Sequence, residues 1–156
     1  MDYWQTLRNA LGHQQLIMPA AAGAIIHDNK ILLVKNKWSH KWFIPGGHQE
    51  LNESIQNTVI REIREELGLT LEIDYLISIY SSPEWILELS NGDILQQLLF
   101  FFKMKGDFSV NDIVMQKSEL QEYLFYKLDE IPENTMPCCK EKVKDLMNYN
   151  GEVIFK

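Results

Sequence analysis

Gly47-His48-Gln49-Glu50-Leu51-Asn52-Glu53-Ser54 opens a run that continues to Arg61-Glu62-Ile63-Arg64-Glu65-Glu66-Leu67-Gly68-Leu69. It holds a glycine, a glutamate six residues on, and then a dense carboxylate cluster beside an arginine. Ser54 is a good N-cap and Gly68 suits the left-handed position that ends a helix, so the spacing predicts a helix between them. Ile55, Val59, Ile63 and Leu67 form its apolar stripe. Glu62, Glu65 and Glu66 fall on one neighbouring face, because residues three and four apart are adjacent on a helix. Like charges stacked this way repel one another. Either they form the solvated face of a surface helix, or something strongly positive sits against them. Hard divalent cations such as Mg²⁺ take oxygen ligands and bind through a few carboxylates plus substrate phosphates.

The whole spacing favours the second reading. Seven fixed residue types and two apolar positions recur by chance in fewer than roughly one in a million chains of this length. The stretch Gly47 to Leu69 resembles the Nudix hydrolase family, whose box G-x5-E-x7-R-E-U-x-E-E-x-G-U (U apolar) is matched at every fixed position. The resemblance implies an α/β fold, a Nudix-type α/β/α sandwich with a curved mixed β-sheet. It also implies hydrolysis of a phosphoric anhydride bond with Mg²⁺ or Mn²⁺. Glu62, Glu65 and Glu66 then stand as metal ligands, Glu53 supports them from the loop, and either Glu62 or Glu66 orients the water. Arg61 holds a box carboxylate through parallel hydrogen bonds; its alternative is a plain surface cation. Gly46, first of the pair after Pro45, inherits the carbonyl that the family offers to metal.

Around this segment the chain reads as one domain. At 156 residues it is long enough for a real core, and 46% hydrophobic with 24% charged residues is an ordinary globular balance. The net charge of −7 argues against nonspecific binding to nucleic acid or an acidic membrane surface. No apolar run is long enough to span a bilayer, and the first residues lack a secretory signal. A cytoplasmic location is expected. Cys138 and Cys139 are adjacent, poor disulfide partners with no His cluster nearby. Two buried or incidental thiols are expected rather than a metal or redox pair.

Three segments are assigned: a helical extension over 1–15, the catalytic domain over 16–149, and a tail over 150–156. Tyr3, Trp4, Leu7 and Leu11 recur at helical spacing. Their apolar face packs either on the domain, which is the default, or on a second copy in a homodimer. Strands are expected at Ala20–His27, Lys30–Lys37, Trp42–Ile44, Leu71–Tyr80, Trp85–Leu89, Ile94–Met104 and Tyr123–Lys127, with a last helix at Cys139–Tyr149. Asp28-Asn29 and Asn91-Gly92 are hairpin turns.

The box does not choose the substrate. Within the resemblance, the signatures of the NADH, coenzyme A and dinucleoside polyphosphate subfamilies are not met. Pro83 lies fifteen residues after Gly68, where ADP-sugar hydrolases tend to carry proline; its plainer role is to end a strand. Trp38, Tyr80 and Trp85 are base-stacking candidates or core aromatics. Glu119 and Glu122 are candidates for a further acid completing the site, or exposed acids. His40 and His48 flank the glycine turn as phosphate contacts or solvated loop residues. The expected partner is a small nucleoside diphosphate derivative, with ADP-ribose or a related ADP-sugar first. A nucleoside triphosphate pyrophosphatase and a non-catalytic nucleotide sensor are the alternatives.

Overall fold

A computed structural model describes residues 3–89 and 91–156. In chain order the elements are α1 (Tyr3–Leu11), β1 (Leu16–Ala24), β2 (Ile26–His27), β3 (Lys30–Asn36), β4 (Trp42–Phe43) and β5 (Gly46–His48). Then come α2 (Ile55–Leu67), β6 (Glu72–Tyr80), β7 (Ile86–Glu88), β8 (Ile94–Lys105), β9 (Leu120–Lys127), α3 (Pro137–Asn148) and β10 (Ile154–Phe155). The larger sheet runs β10-β6-β8-β1-β5, with β7 also on β8. It is mixed: β1 lies parallel to β8 and antiparallel to β5. The smaller sheet centres on β3, which pairs antiparallel with β2, β4 and β9.

The sandwich follows from alternation along β1. Ala20, Ala22 and Ala24 pack with Cys138, Cys139 and Val143 of α3. Ala21 and Ile25 pack on the other side with Val59, Ile63 and Leu67 of α2. Side chains of a strand point to opposite faces in turn, so a strand covered on both faces must be apolar throughout. Small residues let both helices come close. A Cβ on Gly23 would stand 2.7 Å from Ile63 Cδ1 and from Met104 Cγ. Val59, Ile63 and Leu67 of the α2 stripe are fully buried and Ile55 is half-buried; each of the three buried side chains contributes roughly 2 kcal/mol by leaving water. Register shifts between β6 and β8 mark bulges, which bend a strand and increase its local twist.

Local signals behave as expected. The Ser54 side chain accepts from the Asn57 amide, and Gly68 adopts φ 71° as its amide closes on Arg64. Asp28 and Asn29 both take positive φ, giving the tight β2–β3 hairpin. Several elements differ from the sequence reading. Gly46–His48, read as a glycine turn, is strand β5 on β1. Trp85, read as the start of a strand, ends a 3₁₀ turn over Pro83–Trp85 that the Ser82 hydroxyl caps. Proline presets φ for such a turn, and β7 begins only at Ile86. The stretch read as a tail contributes β10, parallel to β6. Two residues carry no periodicity that a sequence could reveal. Lys156 secures this strand, accepting from Ser81 through its carbonyl and donating through Nζ to Asp145 at 2.6 Å and Glu141 at 3.1 Å.

The N-terminal helix docks on its own domain, chiefly through a buried cation. Arg8 ion-pairs with Asp93 at 3.3 Å, donates to the carbonyls of Gly12 and Gln14, and lies 4.2 Å from the Trp4 ring centroid. The aliphatic face anticipated there is only partly covered; Leu11 stays 39% exposed. No helix among the described residues is long and apolar enough to cross a membrane.

Candidate active site

The box helix packs its stripe on β1 and turns its carboxylate face toward β5. Between them lies a cleft of about 450 Å³ lined by Glu62, Glu65 and Glu66, by Arg61, and by Gly46 and Gly47. The glycine strand is what allows this approach. A Cβ on Gly47 would fall 2.3 Å from Glu62 Oε1, and one on Gly46 would fall 2.2 Å from the Ala21 carbonyl. A side chain at Gly47 would displace the Glu62 carboxylate, and one at Gly46 would collide with the backbone of β1.

Arg61 organises the inner wall. It grips Glu53 with two bonds, from Nη2 at 2.8 Å and Nε at 3.0 Å. Its Nη1 reaches Glu62 at 2.9 Å and Glu65 at 3.1 Å, and Nη2 also donates to the His48 carbonyl. Glu53 accepts further from the Glu50 amide and the Thr58 hydroxyl, both at 2.9 Å. It is therefore saturated with donors and serves as a strut between loop and helix. The Arg61 hydrogen bonds, outweighing burial, hold its carboxyl down at about 2 from an ordinary 4.5. Stability from this group is complete above pH 4.5 and is lost as pH falls toward 2. Glu53→Gln is expected to flatten the acid limb of the thermal midpoint across that window; an unchanged acid limb would show that the strut carries no folding energy.

Glu66 differs. Burial, followed by the charges of Glu62, Glu119 and Glu65, pushes its carboxyl up to about 8. It accepts from the Gly46 amide at 3.1 Å. Burial likewise raises Glu62, against the pull of Arg61. Glu119 enters the same cleft from the segment before β9. Among the described residues no protein cation pairs with Glu66 or Glu119. Hard oxygen donors short of positive charge suit a hard divalent ion. No three His, Cys, Asp or Glu side chains among the described residues are already drawn together around one point, since Arg61 ties Glu62 and Glu65. Mg²⁺ commonly keeps several waters and needs few protein ligands, so the donor set fits such an ion.

The other sequence candidates separate. Glu122 ion-pairs with Lys35 at 2.9 Å and does not line the cleft. Trp38 is 68% exposed in the turn after β3. Tyr80 is buried, donates to Asp145, and meets Trp85 edge-on at 4.8 Å. Pro83 starts the 3₁₀ turn that carries Trp85. His40 bonds to Gln121 outside the cleft, whereas His48 lines it.

Three lining residues escaped the sequence reading: Trp4, Glu50 and Gln116. Trp4 stacks on His48 with centroids 5.4 Å apart, and the Tyr3 amide donates to Glu50 at 2.9 Å. The only sequence signal was the amphipathic spacing of the first helix. That spacing does not say where the helix docks.

A family model described as the NUDIX domain matches residues 18–146. The chain belongs to the Nudix family. An ADP-ribose pyrophosphatase of Methanocaldococcus jannaschii is 30% identical to this Nudix hydrolase over 150 residues, 92% of the chain and 82% of that protein. A putative 8-oxo-dGTP diphosphatase of Bacillus subtilis is 29% identical over 124 residues, 80% of the chain and 75% of that protein. Among solved structures, the MutT protein of Methanosarcina mazei aligns with a TM-score of 0.71 at 20% identity, covering 89% of the chain and 99% of that protein. At that identity the last likeness speaks for the Nudix fold alone.

Proposed function

We propose that this Nudix hydrolase is a divalent-metal-dependent pyrophosphohydrolase of nucleoside diphosphates linked to another group, ADP-ribose or a related ADP-sugar first. The observation that carries the reading is one cleft in which Glu62, Glu65, Glu66 and Glu119 face a glycine strand, with Arg61 as the sole lysine or arginine in its wall among the described residues. An acidic pocket repels a pyrophosphate unless a cation intervenes. Glu62, Glu65 and Glu66, with the Gly46 carbonyl, would hold Mg²⁺ or Mn²⁺. When bound, such an ion neutralises phosphate charge and acidifies a coordinated water.

The chain's own residues do the rest. Arg61 and Glu53 fix the helix face against the loop, so the carboxylates keep their spacing. Glu66 or Glu62 takes the proton of the attacking water. The glycine strand leaves room for the diphosphate along β5. The ADP-sugar preference draws support from the M. jannaschii relative, which aligns over most of both chains.

The test is a substrate panel with Mg²⁺, repeated after exhaustive chelation. ADP-ribose is expected to give a higher kcat/KM than deoxynucleoside triphosphates, and chelation is expected to abolish turnover. A preference of about tenfold or more for triphosphates, roughly 1.4 kcal/mol of transition-state discrimination, would make the protein a triphosphate pyrophosphatase. Turnover that survives chelation would remove the metal from the reading.

A further inference from the structure

Helix α3 opens with the two cysteines. Pro137 takes its first position, and Cys138 and Cys139 follow in the first turn, both free and buried. Both line a cavity of about 210 Å³ behind β5, on the α3 side of the larger sheet. Its other walls are largely aliphatic, with Leu87 of β7, Leu95 and Leu99 of β8, and Phe43 of β4. Leu89 also stands in the wall and is 39% exposed, so the cavity reaches the surface at that end. Among the described residues no aspartate or glutamate lines it. Lys142, one helical turn beyond Cys138, does line it and is only 2% exposed.

Lysine is almost never fully buried unless it is paired. The carboxylates of α3 are engaged elsewhere: Glu141 by Lys144 and Lys156, Asp145 by Lys156 and Tyr80. The group that faces Lys142 is the Cys138 thiol, four residues back on the same side of the helix. Two further influences favour the thiolate of Cys138. The first turn of a helix carries partial positive charge that stabilises an anion, and the Cys139 thiol donates to the Cys138 sulfur. The bond from Cys139 first, and Lys142 after it, hold the Cys138 thiol below its ordinary range, whereas that same bond and burial push Cys139 up. The two thiols are thus unequal, one a nucleophile and the other a donor. Cys138 and Lys142 form a thiolate–ammonium pair, which supplies the counter-charge that no carboxylate provides. A thiol buried in apolar surroundings is inert, but one beside a cation at a helix N-terminus is reactive.

We propose that Cys138 is a covalent modification site for small apolar α,β-unsaturated carbonyl compounds, with Lys142 placed to receive the carbonyl oxygen. The cavity matches that class at three points: the sulfur meets the β-carbon, the ammonium meets the oxygen, and the leucine walls take the carbon frame. A charged electrophile would lose its hydration against those walls, and a small hydroperoxide would leave them unused. In the addition, the sulfur electron pair forms the C–S bond at the β-carbon, and the C=C π pair moves onto the oxygen as an enolate. Lys142 stabilises that charge. A proton, replacing the one the thiol gave up, then adds at the α-carbon and restores the carbonyl. Every atom of the electrophile stays in the adduct, and no oxidant or reductant is consumed. The site stands apart from the pyrophosphohydrolase reading, since none of the cleft carboxylates takes part.

The experiment treats the full chain at neutral pH with cyclohexenone, a small uncharged enone, and follows the adduct by intact mass and peptide mapping. One adduct per chain is expected, on Cys138. Cys139→Ser is expected to keep it, because a hydroxyl still donates to the sulfur, and Cys138→Ser is expected to abolish it. Lys142→Met keeps the stem and removes the charge; an apolar replacement of similar shape is tolerated where a buried charge stood. It is expected to slow addition about tenfold or more, the scale of losing a hydrogen bond to a charged group. Thermal melts establish that each variant is folded, and if Lys142→Met is not, the map of the adduct in the wild type and in Cys139→Ser decides. In urea both thiols of the wild type are expected to react, which shows that probe and thiols are competent. No adduct on the native chain, an adduct chiefly on Cys139, or an equal rate in folded Lys142→Met overturns the proposal.

Discussion

Glu66→Gln is expected to lower kcat by at least about a hundredfold, the scale of losing a main electrostatic element of a site. Glutamine keeps the shape and can still accept from the Gly46 amide, so the change removes charge rather than structure. Stability moves the other way. In the folded, metal-free protein the Glu66 carboxyl ionises only near 8, against 4.5 ordinarily. The folded state therefore loses stability as pH rises from 4.5 through 8, and glutamine abolishes that loss. The variant's thermal midpoint without metal is expected to match the wild type at the acid end and exceed it at pH 8. Saturating Mg²⁺ is expected to raise the midpoint of the wild type more than that of the variant. If Glu66 belonged to a merely solvated helix face, turnover would stay near normal and stability would change within about half a kcal/mol. Full activity in this variant would place the chemistry elsewhere.

Arg61→Met is expected to damage activity and folding together. Its loss strands Glu53 and Glu62, both mostly shielded from solvent, and removes the Arg61 bond to the His48 carbonyl. Removing one partner of a buried pair costs about 3–5 kcal/mol; a cleft wall that water can reach reduces this to about 2 kcal/mol. Turnover is expected to fall on the order of tenfold to a hundredfold, as when groups that orient metal ligands are removed. Arg61→Lys separates charge from geometry. A single ammonium cannot reproduce the bidentate grip on Glu53 together with the bonds to Glu62 and Glu65, so it is expected to recover only part of the loss. Complete recovery by lysine, in urea melts and in kcat, would mean that charge alone matters.

Sequence alone reveals much of the fold because many of its signals are short-range. The caps of α2 at Ser54 and Gly68, the Asp28-Asn29 turn and the stripe Val59-Ile63-Leu67 each act within a few residues, and the box fixes the carboxylates on one helix face. What stayed hidden depends on distant partners. Nothing in Tyr3–Leu11 announces that Trp4 will reach His48, and nothing local to Glu141 and Asp145 says that Lys156 will reach both. The same limit left Trp38 and Glu122 open between a substrate role and a plainer one. Their residue types suited a substrate site, but one faces solvent and the other has Lys35 beside it. Glu119 and Glu122 looked equivalent in sequence, and only the docking of β9 on β3 separates them.

The parallel pairing of β1 with β8 sets the order in which this chain can assemble. Leu16–Ala24 must wait for Ile94–Lys105 before one of its edges is filled, whereas β5 and α2 arrive soon after it in sequence. During synthesis an apolar strand therefore stands with an open edge until the chain is about two-thirds made. Long-range pairing of this kind slows folding, and an unpaired apolar edge is a template for association with other chains. The same strand that carries the glycine wall of the cleft is thus the segment most exposed to misassembly. Yield of soluble protein is expected to respond more to synthesis temperature and chaperone supply than the stability of the finished fold would indicate.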